Sequence, residues 1–283
     1  MANIVETASS EIGPGILLTD GRAFFVGTSG GTTALYASGN TPTQQGSWAA
    51  GPAIPDRVIG IWWRRIVQAQ GSKDGPAALE PGGNVLFPVA PVDGTRNNYL
   101  APCSFFEFDG ANILRVNDPP NADCPTYVGR LLVLPSGDIL WAREDDPGIY
   151  LFQSSDTPND AWRPSVTSAP AMIVPGTTVA VSGLQFNGLS QAVGYGDDHT
   201  AATNYPIVRI RNRKTGRIRY CRTANHTVTI GGIVQPSMGV ATGNANVTTQ
   251  VAVPNDIDLG PADLFVVANG IPSAPTGVVL LPP

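Results

Sequence analysis

Hydrophobic positions along this chain come in short runs, broken at close intervals by Gly, Pro, Asp or Asn. Such punctuation predicts strands joined by tight turns rather than helices. Gly15-Ile-Leu-Leu, then Asp20-Gly21, then Ala23-Phe-Phe-Val26 predicts a β-hairpin. The Asp-Gly dipeptide reads as a two-residue turn, which needs positive φ. Thr33 to Tyr36 is a third strand, and Trp48 with the following Gly-Pro segment closes the unit. The same grammar returns from Ala77 to Phe87, with Phe105–Phe108 and Leu114–Val116 as further strands. It returns again from Leu131 to Trp141, with Ile149–Phe152 as third strand and Trp162 at the close.

The turn glycines Gly21, Gly83 and Gly137 keep step at 62 and 54 residues, and Tyr36–Trp48 and Tyr150–Trp162 share a spacing of 12. Units of this length with four strand signals each read as propeller blades. Between the first two units, residues 59–70 hold Trp62 and Trp63, expected in a strand or core; an aromatic sugar-stacking platform is the competing reading. From about Ser168 the period breaks. Several short strands follow, among them Thr177–Ser182, Ile207–Arg211, Arg217–Cys221, Val247–Val253, Leu264–Ala268 and Gly277–Leu281. That density of strands matches an immunoglobulin-like sandwich. The expected organisation is therefore all-β: a partial propeller of about three four-stranded blades over residues 1–167, then a sandwich over 168–283.

Composition narrows the partners. The 283 residues include 32 Gly and 26 Pro, only 14% are charged, and the net charge is −5. No basic face recurs, so nucleic acid is not expected. The densest basic run, Arg209 to Arg219, reads as a hairpin with Arg on alternate positions. No apolar run is long enough to span a bilayer, and the opening residues have neither the basic nor the apolar region of a signal peptide. Cys103 and Cys124 flank a loop and could pair in an oxidising compartment; three lone thiols, with Cys221, fit the count as well. No Cys/His spacing suggests zinc. Gly-x-Ser-x-Gly is absent, whereas paired carboxylates that meet only in the fold stay open.

Leu184 to Tyr205 is the most distinctive stretch. It carries Asp197, Asp198 and His199, which with Asn204 have the chemistry of a calcium or magnesium site; a turn after Gly196 is the alternative. Glu144-Asp145-Asp146 reads as a hairpin tip.

Segments such as Asn187-Gly-Leu-Ser-Gln, Tyr195-Gly-Asp-Asp, Ala202-Thr-Asn-Tyr-Pro, Ser237-Met-Gly-Val-Ala-Thr-Gly and Val267-Ala-Asn-Gly-Ile-Pro-Ser-Ala-Pro carry a resemblance. Together with the repeats, they make the chain similar to the bacterial branch of the galactose-oxidase-like kelch proteins. It resembles their last kelch-type blades followed by the immunoglobulin-like E-set domain. The resemblance implies a copper-radical oxidase of alcohols or aldehydes, with copper held by two tyrosines and two histidines and one tyrosine cross-linked to a cysteine. Position by position, Glu11 and Ile12 stand where the first tyrosine is expected, and Tyr127 is followed by Val128 instead of histidine. His226 matches the E-set histidine, and Cys103 is the one candidate for a re-used cysteine. Two of the four ligands are absent, and copper needs convergent donors.

The sequence thus points to a non-catalytic, extracellular or surface β protein. It would self-associate, because three blades do not close a ring, and it would be a candidate for carbohydrate binding. Either the chain is part of a longer protein, or neighbouring chains complete or extend the half-ring. The alternative is an oxidase-like enzyme with a metal site rebuilt around Tyr127, His226 and Cys103.

Overall fold

The computed structural model describes residues 12–28, 30–41, 43–61, 64–92, 100–154, 156–193, 205–237 and 244–283. The protein is all-β. It divides into two compact units, residues 1–156 with 190–202, and residues 157–189 with 203–283. Trp62, Trp63, Asp197, Asp198, His199 and Asn204 lie outside the described residues.

The first unit opens with β1 (Gly15–Leu17), β2 (Arg22–Val26), β3 (Thr33–Ala37) and β4 (Ser47–Ala50), paired antiparallel in sequence order. A separate hairpin, β5 (Arg57–Ile61) with β6 (Arg64–Gln68), follows. Its Val58 and Val67 are about half exposed. The second sheet contains β7 (Gln70–Gly71), β8 (Ala78–Leu79), β9 (Val85–Pro91), β10 (Ser104–Phe108) and β11 (Ile113–Arg115). The third consists of β12 (Gly129–Val133), β13 (Ile139–Arg143) and β14 (Asp146–Phe152).

These three sheets stack. Ile16 and Phe24 of the first meet Phe87, Phe106 and Phe108 of the second, with Phe24 and Phe108 stacked at 4.0 Å. On the other side of the second sheet, Leu86, Phe105 and Cys103 meet Ile139 and Trp141 of the third. Every residue of β9 is buried as a result. A strand covered on both faces gains nothing from polar alternation, which is why Val85-Leu-Phe-Pro-Val-Ala-Pro91 is an unbroken apolar run.

One backbone pattern occurs at all three hairpins. Leu18, Glu80 and Leu134 each donate N–H to the carbonyl four residues on, at 2.8 Å, and accept from the glycine three residues on, at 2.9–3.0 Å. Gly21, Gly83 and Gly137 have φ of 84°, 98° and 96°. These are three-residue loops with one left-handed glycine, not the two-residue turns expected. A single positive φ suits a type I turn followed by a bulge, whereas a two-residue turn of the mirror type needs two. The third sheet also departs from expectation. Among the described residues no fourth strand pairs with β14, and Trp162 lies in a 3-10 turn (Asp160–Trp162) capped by Asn159, within the second unit.

The second unit is built from β15 (Ser165–Ser168), β16 (Met172–Ile173) and β17 (Thr178–Leu184). The chain then lends β18 (Gln191–Val193) to the first unit, antiparallel to β1. It continues with β19 (Ile207–Asn212), β20 (Ile218–Ile230), β21 (Ile233–Pro236), β22 (Asn246–Ala252), β23 (Gly260–Ala268), β24 (Ile271–Pro272) and β25 (Thr276–Leu280). All these strands except β18 belong to one ten-stranded sheet. β20 pairs with β19 up to Cys221 and with β22 from Arg222 onward. This exchange of partners curls the sheet, so that Val181, Val247 and Val251 share one core with Val208, Ile210 and Leu264.

Candidate functional site

The outward faces of the first and third sheets are the main departure from a closed core. In the third sheet, Leu132, Leu140 and Leu151 stand side by side across three strands, with Ala142 beside Ile149 in the next rank. Successive side chains alternate between faces. Leu131, Trp141 and Tyr150 therefore point to the second sheet, and the leucine rank points away. Leu132 is 45% exposed, Leu151 55% and Ile149 64%. A strand apolar on both faces belongs between two layers, and among the described residues no second layer covers this one. The outer face of the first sheet is aromatic: Trp48 lies 5.2 Å from Phe25 and 5.0 Å from Tyr36. Trp48 is 40% exposed.

Between the second and third sheets lies a cleft of about 660 Å³, lined by Phe105, Glu107, Arg115, Asp118, Trp141 and Tyr150 among others. Arg115 grips Asp118 through two contacts of 2.6 Å. Trp141 donates its indole N–H to Asn121 at 2.9 Å and meets Phe105 edge-on.

Beside Glu107 sits Glu80, 2% exposed. Burial pushes its carboxyl up to about 8; a hydrogen bond from Ser154 acts the other way, while Glu107 and then Asp156 push in the same direction as burial. Glu80 is thus a neutral acid near pH 7. Its Oε1 has no partner among the described residues. The acids do meet in the fold here, a possibility the linear order had left open.

The sequence-predicted residues are distributed as follows. Cys103 and Tyr127 are in the first unit and His226 in the second. Cys103 is buried with Cys124, sulfur to sulfur at 3.9 Å, both as free thiols. Tyr127 occupies the 3-10 turn Thr126–Val128, is 40% exposed, and offers its carbonyl to Arg130 at 2.7 Å. His226 follows Asn225, whose φ is 51°, at a break in the β20–β22 register. It is 6% exposed, has the Tyr205 ring edge-on at 4.5 Å, and finds no hydrogen-bond partner for either ring nitrogen among the described residues. Burial lowers its pKa. Tyr205 spends its hydroxyl on the Thr223 carbonyl at 2.7 Å.

A copper ion needs several such donors together. Among the described residues no three His, Cys, Asp or Glu side chains are grouped to hold a metal. The described residues thus show no grouped donor set of the kind copper needs. At the hairpin tip, Asp145 and the nearby Asp123 turn to Arg143 at 2.8 and 2.6 Å. Four arginines of the basic run are ion-paired: Arg211 and Arg213 with Asp263, Arg217 with Asp258, and Arg219 with Asp256. No helix among the described residues is long and apolar enough to cross a membrane.

Glu80, Asn121 and the outer leucines escaped the sequence reading. Aligning the three turns would have exposed Glu80, because its counterparts are leucines. No known family model matches the chain, and no curated protein matches it.

Proposed function

We propose that the chain is a galactose-oxidase-like partial propeller joined to an immunoglobulin-like E-set domain, and that it works without catalysis, as a self-associating extracellular or surface protein. The observation that carries this reading is the leucine rank Leu132, Leu140 and Leu151, exposed at its two outer members, on a sheet whose other face is core. The aromatic face of the first sheet is its complement: the outer face of the third sheet of one copy packs on the outer face of the first sheet of another.

Magnitudes favour a closed pair. Burying the remaining area of a half-exposed leucine contributes about 1 kcal/mol, so one leucine rank on its aromatic partner face barely offsets the roughly 4 kcal/mol or more that association costs, and a single contact associates only weakly. Two half-rings related by a two-fold axis make two such contacts for one loss of rigid-body freedom. The cleft beside Trp141, with its aromatic walls and the Arg115–Asp118 pair, is the place for a carbohydrate.

Sedimentation equilibrium tests the reading. A concentration-dependent dimer that Leu151→Asp converts to monomer is the expected result; a monomer at all concentrations overturns it. The second reading, an oxidase-like enzyme, rests on the two unpartnered nitrogens of His226. Metal analysis with a peroxide-release assay on sugars and small aldehydes decides it, and neither metal nor peroxide would end it.

A further inference from the structure

We infer that Cys103 and Cys124 are the two halves of a disulfide that closes when the chain meets an oxidising environment. Their sulfurs are 3.9 Å apart. The Cys103 N–H donates to the Cys124 carbonyl and to the Ala122 carbonyl, both at 2.9 Å. A direct main-chain hydrogen bond of this kind holds two α-carbons within the reach of a disulfide, so closure needs side-chain rotation rather than backbone movement. Both thiols are buried in one apolar cluster with Phe105, Ile139 and Trp141. The third thiol, Cys221, lies in the other unit's core, and burial pushes it up to about 11.

The two thiols are not equivalent. The hydrogen bond from Cys103 lowers the pKa of Cys124 against the effect of burial, and the Arg143 guanidinium adds in the same direction. Cys103 is pushed up, by that shared hydrogen bond first and burial second. Cys124, the thiol beside Arg143, is therefore the attacking thiolate once folding or local opening exposes the pair. It attacks one sulfur of a small-molecule disulfide such as oxidised glutathione and releases one thiolate. Cys103, losing its proton, then attacks the Cys124 sulfur of the mixed disulfide and releases the second thiolate. The protein loses two protons and two electrons and gains one S–S bond; the electrons leave in two molecules of reduced glutathione.

The bond would close a loop of about twenty residues, from β10 through β11 to Pro119 and Pro120, which form one wall of the cleft. Cross-linking such a loop acts mainly by restricting the unfolded chain. The inference is independent of self-association and of any metal.

The test uses the full chain. One sample is refolded from reductant and denaturant into an oxidising glutathione buffer; a second stays folded in the same buffer. Both are acid-quenched, alkylated in denaturant and mapped by mass spectrometry. The expected result is a Cys103–Cys124 cross-linked peptide, with Cys221 alkylated, and a thermal midpoint about 5 °C or more above that of the reduced protein. Cys103→Ser and Cys124→Ser should each abolish the reductant-sensitive part of that midpoint. Three alkylated thiols in both samples, glutathione left on Cys124, a bridge through Cys221, or a shift that persists in either variant would overturn the inference. Where a serine variant fails to fold, the wild-type peptide map decides.

Discussion

Glu80 occupies in the second hairpin the place that Leu134 occupies in the third, down to the same pair of main-chain hydrogen bonds. A side chain that is leucine at two equivalent positions is a buried carboxyl at this one. Burial holds the carboxyl neutral, Glu107 adds to that effect, and the hydrogen bond from Ser154 opposes it without ionising the group.

The consequence is a stability that falls as pH rises. The folded chain holds the Glu80 proton up to about pH 8, whereas an unfolded glutamate releases it near 4.3. Between those values the folded state binds more protons, so stability declines by about 1 kcal/mol per pH unit. Denaturant titrations at pH 5, 6.5 and 8 should show this slope. Glu80→Gln and Glu80→Leu should flatten it and stabilise the protein at pH 8. Slopes parallel to wild type would remove Glu80 as the cause.

The face-to-face arrangement predicts complementation. Leu151→Asp damages one outer face and Trp48→Asp the other. Each variant alone should be monomeric, since either substitution damages both contacts of the two-fold pair. Mixed together they retain one intact contact, formed by the undamaged face of each, so a weak heterodimer should appear by sedimentation. If third-sheet faces pair with each other instead, the Trp48 variant alone would still dimerise.

Packing at the third sheet leaves no room beside Trp141. A Cβ on Gly129 would fall 1.8 Å from its ring, and the ring is pinned by Asn121 and by Phe105 edge-on. Gly129→Ala should therefore cost about 1–3 kcal/mol or more and shift the tryptophan emission. A neutral substitution would mean that the ring moves freely.

His226 makes the opposite case, a buried polar group with no described partner. Burial depresses its pKa, so the folded chain resists the proton that an unfolded histidine takes up near pH 6.5. Stability from this source is present above that pH and is lost as pH falls below it. His226→Phe should leave stability at pH 7.5 unchanged or higher and reduce the loss between pH 7 and 5. A large destabilisation at pH 7.5 would show that the imidazole has a partner.

Much of the strand order was legible in the linear text. Runs such as Ala23-Phe-Phe-Val26 and Ile139-Leu-Trp141, set against their glycines, became β2 and β13. Periodicity reports which residues leave water together, and Gly reports where the backbone must take positive φ. Both are local properties. The hairpin type was misread because Asp20-Gly21 alone does not tell whether one residue or two turn left-handed; the neighbouring strands decide. The third unit, expected to close at Trp162, has a 3-10 turn there, because Asn159 caps it.

By itself, then, the sequence determined an all-β chain with three equivalent hairpins and a change of pattern near Ser168. Tertiary structure alone decided that Glu80 is neutral, that Cys103 faces Cys124, that His226 is buried with no described partner, and that Leu132, Leu140 and Leu151 align on one outer face. The reason is physical. Charge state, thiol pairing and exposure depend on what other strands place within a few ångströms, and those neighbours are set by folding rather than by adjacency along the chain.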